Sequence, residues 1–229
     1  MNRKFAVIGL GDFGRSIAIS LTERGGDVIA VDQSMEIIDE IKDKVAYAVR
    51  LDSTDERALR SLGIDKVDVV VVTMGEHFED TVLTSVLLLQ MGIRKVVARA
   101  SSKMQEKILL KLGVHQVVTP EFEMASRLAS TLFNEDVLDY ISLGEGYNIL
   151  QVKAPRSFIG KTLQEIDLRI KYNLNLITIK RSYKVRNEGN GEDVIKQRIY
   201  GVPTASTIIE ENDVLILMGK DKDVKKIIE

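Results

Sequence analysis

The chain has 229 residues, a 45% apolar fraction, a net charge of -2 and no cysteine. That length and apolar content suit one large domain or two small ones with a packed core. The charge balance argues against a nucleic-acid face, and the missing thiols exclude disulfides, zinc thiolate sites and a cysteine nucleophile. No apolar run approaches the roughly 18 residues of a membrane span. The start, "MNRKFAVIG", turns into a strand too soon for a signal peptide.

In chain order, strand and helix alternate. Phe5–Ile8 predicts a short strand, and Phe13–Arg24 a helix with Phe13, Ile17, Ala18 and Leu21 on one stripe, ended by Gly25 and Gly26. Asp27–Asp32 is a second strand. Ser34 caps a helix over Met35–Lys44. Val45–Asp52 reads as a third strand, Ser53–Leu62 as a helix, and Val67–Thr73 as a fourth strand whose four consecutive valines suit burial on both faces. "LGIDKVDVVVV", "MGIRKVVARA" and "LGVHQVVTP" each end a helix at Gly63, Gly92 or Gly113 and start a strand. Six strands before Thr119, each followed by a helix, predict an α/β, doubly wound parallel sheet. Its last helix follows Pro120 and runs over Glu121–Phe133.

The pattern changes after Asn134. "NEDVLDYISLGEGYN" is polar and irregular and reads as a boundary near residues 135–145. β-like runs follow at Ile149–Lys153, Leu174–Arg181, Gln197–Tyr200 and Val214–Met218. Thr162 with Glu165 forms a capping box for a short helix, Asn187–Asp193 reads as a flexible loop, and a final helix covers Lys222–Ile228. This second unit is a small α+β domain of about 85 residues, near the lower limit for an independent core, so self-association is expected.

"AVIGLGDFGRSIA" (Ala6–Ala18) carries G-x-G-x-x-G between a strand and a helix. Gly9 permits the tight turn, Gly11 lets backbone approach a phosphate, and Gly14 lets the helix pack against the sheet. The helix N-terminus then offers free N–H groups to an anion. Asp32 ends the second strand, where its carboxylate suits ribose hydroxyls and repels a 2′-phosphate. NAD or another adenosine nucleotide is favoured over NADP. Asp12 and Phe13 in the loop, and Gln33 after Asp32, join the candidate set. Further candidates stand at later strand tips: Asp52, Ser53 and Thr54; Thr73, Met74, Gly75 and Glu76; Arg99; and Glu121. Ser53 and Thr54 serve equally well as helix caps, and Arg99 either reaches a phosphate or pairs with a rim carboxylate.

Catalytic patterns are lacking. His77 and His115 are the only histidines, and no Ser-His-Asp or H-E-x-x-H arrangement occurs. His115 reads as a surface loop residue and His77 as part of a helix start. "GKT" (Gly160–Thr162) has Pro155 where a P-loop has its first glycine, and no strong strand precedes it. A nucleotide here reads as a signal rather than a reagent.

"FAVIGLGDFGRSIA", "VIAVD", "LDSTDE", "VVVVTMGE", "VVARA", "VVTPEFEMASRLAS", "VLDYISL" and "GKTLQEIDLRIKYNLNLITIKR" together resemble the RCK/TrkA-type cytosolic gating subunits of bacterial Ktr and Trk potassium uptake systems, nearest the KtrA-like kind. The resemblance implies a Rossmann-type RCK-N domain with its crossover helix over residues 1–135. A hinge over 136–145 and an RCK-C regulatory and dimerisation domain over 146–229 would follow. It implies ATP or ADP, or NAD(H) or AMP, at the glycine loop, where the nucleotide shifts ring conformation. It also implies a homodimer assembling to an octameric ring, docked at the inner face of the cell membrane on a potassium-translocating subunit. Asp32 matches the ribose-binding acid, Arg99 a basic strand-tip residue, and Glu121 an acid that helps hold Mg2+ or Ca2+ near the phosphates. Some relatives bind cyclic di-AMP at RCK-C, the region of Arg169. Such sequences usually carry arginine where Asp12 stands. Aspartate there repels terminal phosphates unless a cation, Arg15 or Arg99 intervenes. The functional expectation is a nucleotide-sensing, non-enzymatic gating subunit with no nucleic-acid partner. The rivals are an NAD-dependent oxidoreductase using His77 or another strand-tip base, and an NAD(H) redox sensor.

Overall fold

The computed structural model describes residues 2–75, 77–186 and 193–228, and the chain divides into two compact units, Met1–Glu123 and Met124–Glu229. In the first unit six strands alternate with helices: β1 (Lys4–Ile8), β2 (Asp27–Asp32), β3 (Tyr47–Arg50), β4 (Val69–Val72), β5 (Val96–Arg99) and β6 (Gln116–Val118). They form one sheet in the order β3-β2-β1-β4-β5-β6, with every pairing parallel. The winding reverses between β1 and β4, and their C-terminal ends flank the crevice where such sheets take ligands.

The strands sort their side chains by the period of two. Ala6, Ile8, Val70 and Val72 join one buried cluster with Leu59, Leu88 and Leu109. Val7, Val69 and Val71 join a second with Leu10, Ala18 and Ile38. The first cluster is covered by α3 (Glu56–Ser61), α4 (Phe78–Gln90) and α5 (Lys103–Lys111), the second by α1 (Asp12–Glu23) and α2 (Met35–Ile41). Both faces of β4 are therefore dry, as its valines predict. Gly63, Gly92 and Gly113 all take positive φ, the left-handed helix endings expected of them.

Two of the boundaries that differ from the sequence reading have a local cause. The helix expected over Ser53–Leu62 begins at Glu56, because the Asp55 carboxylate accepts from the N–H groups of Arg57 and Ala58 and takes the capping position. The helix expected over Met35–Lys44 is capped by Ser34 as predicted, but its last three residues tighten into a 3-10 turn. Helix α6 (Pro120–Phe133) begins at Pro120, and none of its residues is buried.

The second unit holds a five-stranded antiparallel sheet in the order β10-β9-β11-β8-β7. Its strands are β7 (Val137–Gly144), β8 (Tyr147–Lys153), β9 (Asn175–Arg186), β10 (Asp193–Ile199) and β11 (Val214–Lys220). The stretch read as irregular near 135–145 is thus a strand. Its register with β8 shifts twice, and only Val137 is buried, so the sequence lacks clean alternation. Residues Gly144, Glu145 and Gly146, all at positive φ, turn it into β8. The loop read at Asn187–Asp193 lies outside the described residues except for Asp193, where β10 begins. Helices α7 (Leu163–Ile166), α8 (Leu168–Tyr172) and α9 (Asp221–Ile228) belong to this unit, as does α6 from Met124 onward. The Thr162–Glu165 capping box is present, and Arg169 is exposed on α8.

The second unit buries polar groups beside its apolar core, an ion pair among them. Asp213 is fully buried and receives Arg181 on both oxygens, Nε at 2.9 Å and Nη2 at 2.8 Å. The Glu210 N–H adds a third bond at 2.8 Å. Arg181→Ala removes the guanidinium and leaves a buried carboxylate unpaired, at a cost of about 3–5 kcal/mol. Urea denaturation should show a lower midpoint, and Arg181→Lys should not restore it, because an ammonium cannot make the two-pronged contact.

Candidate functional site

The first glycine of the loop sits where β1 ends. Gly9 has φ +88°, and a Cβ there would stand 2.7 Å from Met74 Cγ and 2.9 Å from Met74 N. Gly11 has φ -60° and open space around its Cβ position. Gly14 lies inside α1, where a Cβ would be 2.0 Å from the Gly9 carbonyl oxygen and 2.5 Å from Thr73 Oγ1. The buried Thr73 hydroxyl donates to the carbonyls of Ile8, at 3.1 Å, and Gly9. Helix, loop and β4 tip are therefore locked together, and no side chain caps the α1 N-terminus. Asp32 clasps the loop from β2: Oδ2 accepts the Leu10 N–H at 2.7 Å and Oδ1 accepts the Ser34 N–H at 2.9 Å.

These elements border a cleft of about 910 Å3, within the range of small-molecule and cofactor sites. It brings together Gly9, Gly11, Asp12, Phe13, Asp32, Gln33, Ser53, Thr73, Met74, Gly75, Arg99 and Glu121. Gly14 lies behind the loop, outside the lining. Asp52 and Thr54 also lie outside it and bond to each other. The Thr54 N–H donates at 2.9 Å and its hydroxyl at 2.7 Å to Asp52 Oδ1, holding that carboxyl below its ordinary range. Ser53 is not a helix cap: it is buried, with its hydroxyl 2.8 Å from that of Thr84. Glu76 lies outside the described residues. The lining also includes Leu10, Ile37, Leu51, Asp80 and Ser101, which the sequence reading did not place in the site, and Arg15 and His77, which it named only as an offset to Asp12 and as the base of the rival reading. Ile37 and Leu51 join Val31 as apolar lining of the Asp32 side of the cleft.

Both arginines of the cleft are engaged. Arg15 Nη2 lies 2.7 Å from Asp12, and its Nη1 bonds Glu40. Arg99 bonds Glu121, lies 5.9 Å from the centre of the Phe13 ring, and presses on Gly75. Burial pulls the Glu121 carboxyl upward, but its own N–H and Arg99 outweigh this and hold it below the usual range. Of the two basic residues expected to offset Asp12, Arg15 does so. Among the described residues no three His, Asp or Glu side chains converge as a metal-binding group, and a cation at Glu121 would meet a carboxylate already bonded to Arg99. His77 is exposed at the start of α4 without a capping bond. His115 is exposed too, its Nδ1 accepting from the Val96 N–H at 3.1 Å. The arrangement can hold an anion at α1 and a hydroxylated ring at Asp32.

Two family models span most of the chain: the TrkA-N domain matches residues 5–120 and the TrkA-C domain residues 149–229. Ktr system potassium uptake protein C of Bacillus subtilis (strain 168) is 35% identical over 226 residues, 99% of this chain and 96% of that protein. This chain belongs to the TrkA family. Among solved structures, the GsuK channel bound to NAD superimposes with a TM-score of 0.55 at 24% identity over 99% of this chain, which spans 38% of that one; the likeness is one of fold. The NAD(P)-binding domain of an exopolyphosphatase-related protein from Archaeoglobus fulgidus is 26% identical, with a TM-score of 0.51, over 58% of this chain and 98% of that domain. The TrkA-family chain thus has the doubly wound parallel sheet and the small α+β domain that its sequence predicts, the latter built on an antiparallel sheet.

The glycines of this TrkA-family loop should separate under mutation. Gly14→Ala forces a methyl onto the Gly9 carbonyl and should cost at least about 3 kcal/mol. Gly11→Ala meets nothing at an allowed φ and should change stability by less than about 1 kcal/mol. Thermal and urea unfolding of the two variants measures the difference.

Proposed function

We propose that this chain is a nucleotide-sensing regulatory subunit of a bacterial potassium channel or transporter, and not an enzyme. An adenine nucleotide, whether ATP, ADP, AMP or NAD(H), occupies the cleft with its phosphates at the α1 N-terminus and its ribose at Asp32. The chain acts from the cytoplasmic face, docked on a potassium-translocating membrane subunit as a ring of homodimers. Among the described residues no helix is long and apolar enough to cross a membrane, which is consistent with a partner supplying the pore.

The observation that carries the reading is the cleft at the β1–β4 switch point, lined by the glycine loop at the uncapped α1 N-terminus and by Asp32. It lies in a chain that matches a named potassium uptake protein over 99% of its length. The NAD(P)-binding domain of the Archaeoglobus protein supports a nucleotide as the ligand class. An oxidoreductase reading has less behind it. His77 is exposed, and no side-chain hydrogen bond from a described residue orients it as a base. Gating requires the nucleotide to bind two conformations unequally, since equal affinity shifts nothing.

Calorimetry with ATP, ADP, AMP, NAD+ and NADH, with and without magnesium, tests the reading alongside light scattering. At least one nucleotide should bind without turnover and change the assembly or its shape, and Gly11→Ala should weaken that binding by about tenfold or more. Dehydrogenation of an alcohol with NAD+ would overturn the proposal. Asp12 gives a second check. Asp12→Asn should tighten ATP by about threefold in metal-free buffer while leaving AMP within about twofold, because the carboxylate repels added phosphate charge.

A further inference from the structure

Arg99 is held in an unusual way for a surface arginine. Its side chain is 21% exposed. The Phe13 ring and the Gly75 backbone border the guanidinium, and a Cβ on Gly75 would come within 2.5 Å of Nη1. The guanidinium carries five donors, and Nη2 meets the Glu121 carboxylate. Nε is buried with no hydrogen-bond partner among the described residues. Arg99 and Glu121 line the same cleft as the uncapped α1 N-terminus. An anion bound at that terminus therefore has, in the same cleft, a guanidinium whose charged partner is a carboxylate. Carboxylate and phosphate suit the same arginine fork.

We infer that Glu121 is a built-in competitor for the phosphate subsite: its carboxylate stands on Arg99 where a ligand phosphate would, and nucleotide binding moves Arg99 from Glu121 to the phosphate. The inference rests on the nucleotide reading above and differs from the metal-ligand role that the family resemblance implies for this residue. Glu121 belongs to the first turn of α6, the helix by which the chain leaves the first unit. Losing Arg99 frees that turn from the β5 tip. The exchange links occupancy of the cleft to the start of α6 without a metal ion. Arg99 acts as the phosphate contact, and Glu121 as a residue that sets its availability.

The test measures binding to the full chain in EDTA, with AMP, ADP and NAD+ as probes and adenosine as the phosphate-free control. Glu121→Gln should tighten the phosphate-bearing ligands by about three- to tenfold and leave adenosine unchanged. Arg99→Gln should weaken the same ligands by about tenfold and abolish the gain when combined with Glu121→Gln. Glu121→Asp, which keeps the charge, should stay near wild type, and melting temperatures check that each variant is folded. Unchanged or weaker nucleotide binding in Glu121→Gln overturns the inference. So does a Glu121→Gln loss that appears only when Mg2+ or Ca2+ is added, which would make Glu121 a cation ligand. If the wild-type chain binds none of the nucleotides, the nucleotide reading itself fails, and the competition falls with it.

Discussion

The closeness of α1 to the β1 and β4 tips is the constraint on which the first unit depends. A Cβ at Gly14 would overlap the Gly9 carbonyl, so the helix can start where it does only because that atom is missing. The Thr73 hydroxyl then bonds the Ile8 and Gly9 carbonyls, tying β4 to the loop from the other side. Asp32 adds a third tie through the Leu10 N–H. Together these contacts aim an uncapped helix end into the crevice at the sheet's switch point. The field of that end is worth most within the first turn, so a shift of the helix by one residue would remove the site. Stability and ligand geometry are the same contacts here, which is why Gly9 and Gly14 are fixed by packing and Gly11 by nothing in the protein itself.

Charge around the crevice is arranged as pairs. Asp12 meets Arg15, and Arg15 also meets Glu40; Arg99 meets Glu121. Surface pairs of this kind contribute little to folding. Their consequence is local: neither arginine presents an unopposed positive charge to a phosphate. An anionic ligand must either rely on the helix end and backbone N–H groups or displace a carboxylate. On the proposed function, such a rim suits an exchangeable reporter of nucleotide levels better than a tightly held cofactor.

Much of this was legible in the sequence because it was local. The glycine spacing, the four valines of β4, the helix-ending glycines and the Thr162 capping box each act within a few residues. Asp55 defeated the capping reading of Ser53 and Thr54 because three polar residues in a row compete for one helix end, and a carboxylate accepting two N–H groups prevailed. Strand β7 was illegible for another reason: it has two register shifts and one buried residue, so its pattern carries no period. The cleft lining was half visible. Residues at strand tips could be named from the winding rule, whereas Arg15 and Ile37 reach the crevice from helices and Ser101 from beyond a strand end. The engagement of Arg99 by Glu121, 22 residues apart, was foreseen only as one of two alternatives.

A regulatory site works only if its two states lie close in free energy, since a ligand can move the balance by no more than its differential affinity. An arginine that trades one anion for another meets that condition better than one that gains a partner from nothing. The unliganded state keeps the guanidinium bonded, so no bare cation is left under Gly75 and Phe13. The liganded state replaces a singly charged carboxylate with a phosphate of equal or greater charge. The difference between two similar contacts is small and is set by the number and placement of phosphate oxygens. On this argument the pairing of Arg99 with a carboxylate lowers affinity and makes the cleft respond to which nucleotide fills it.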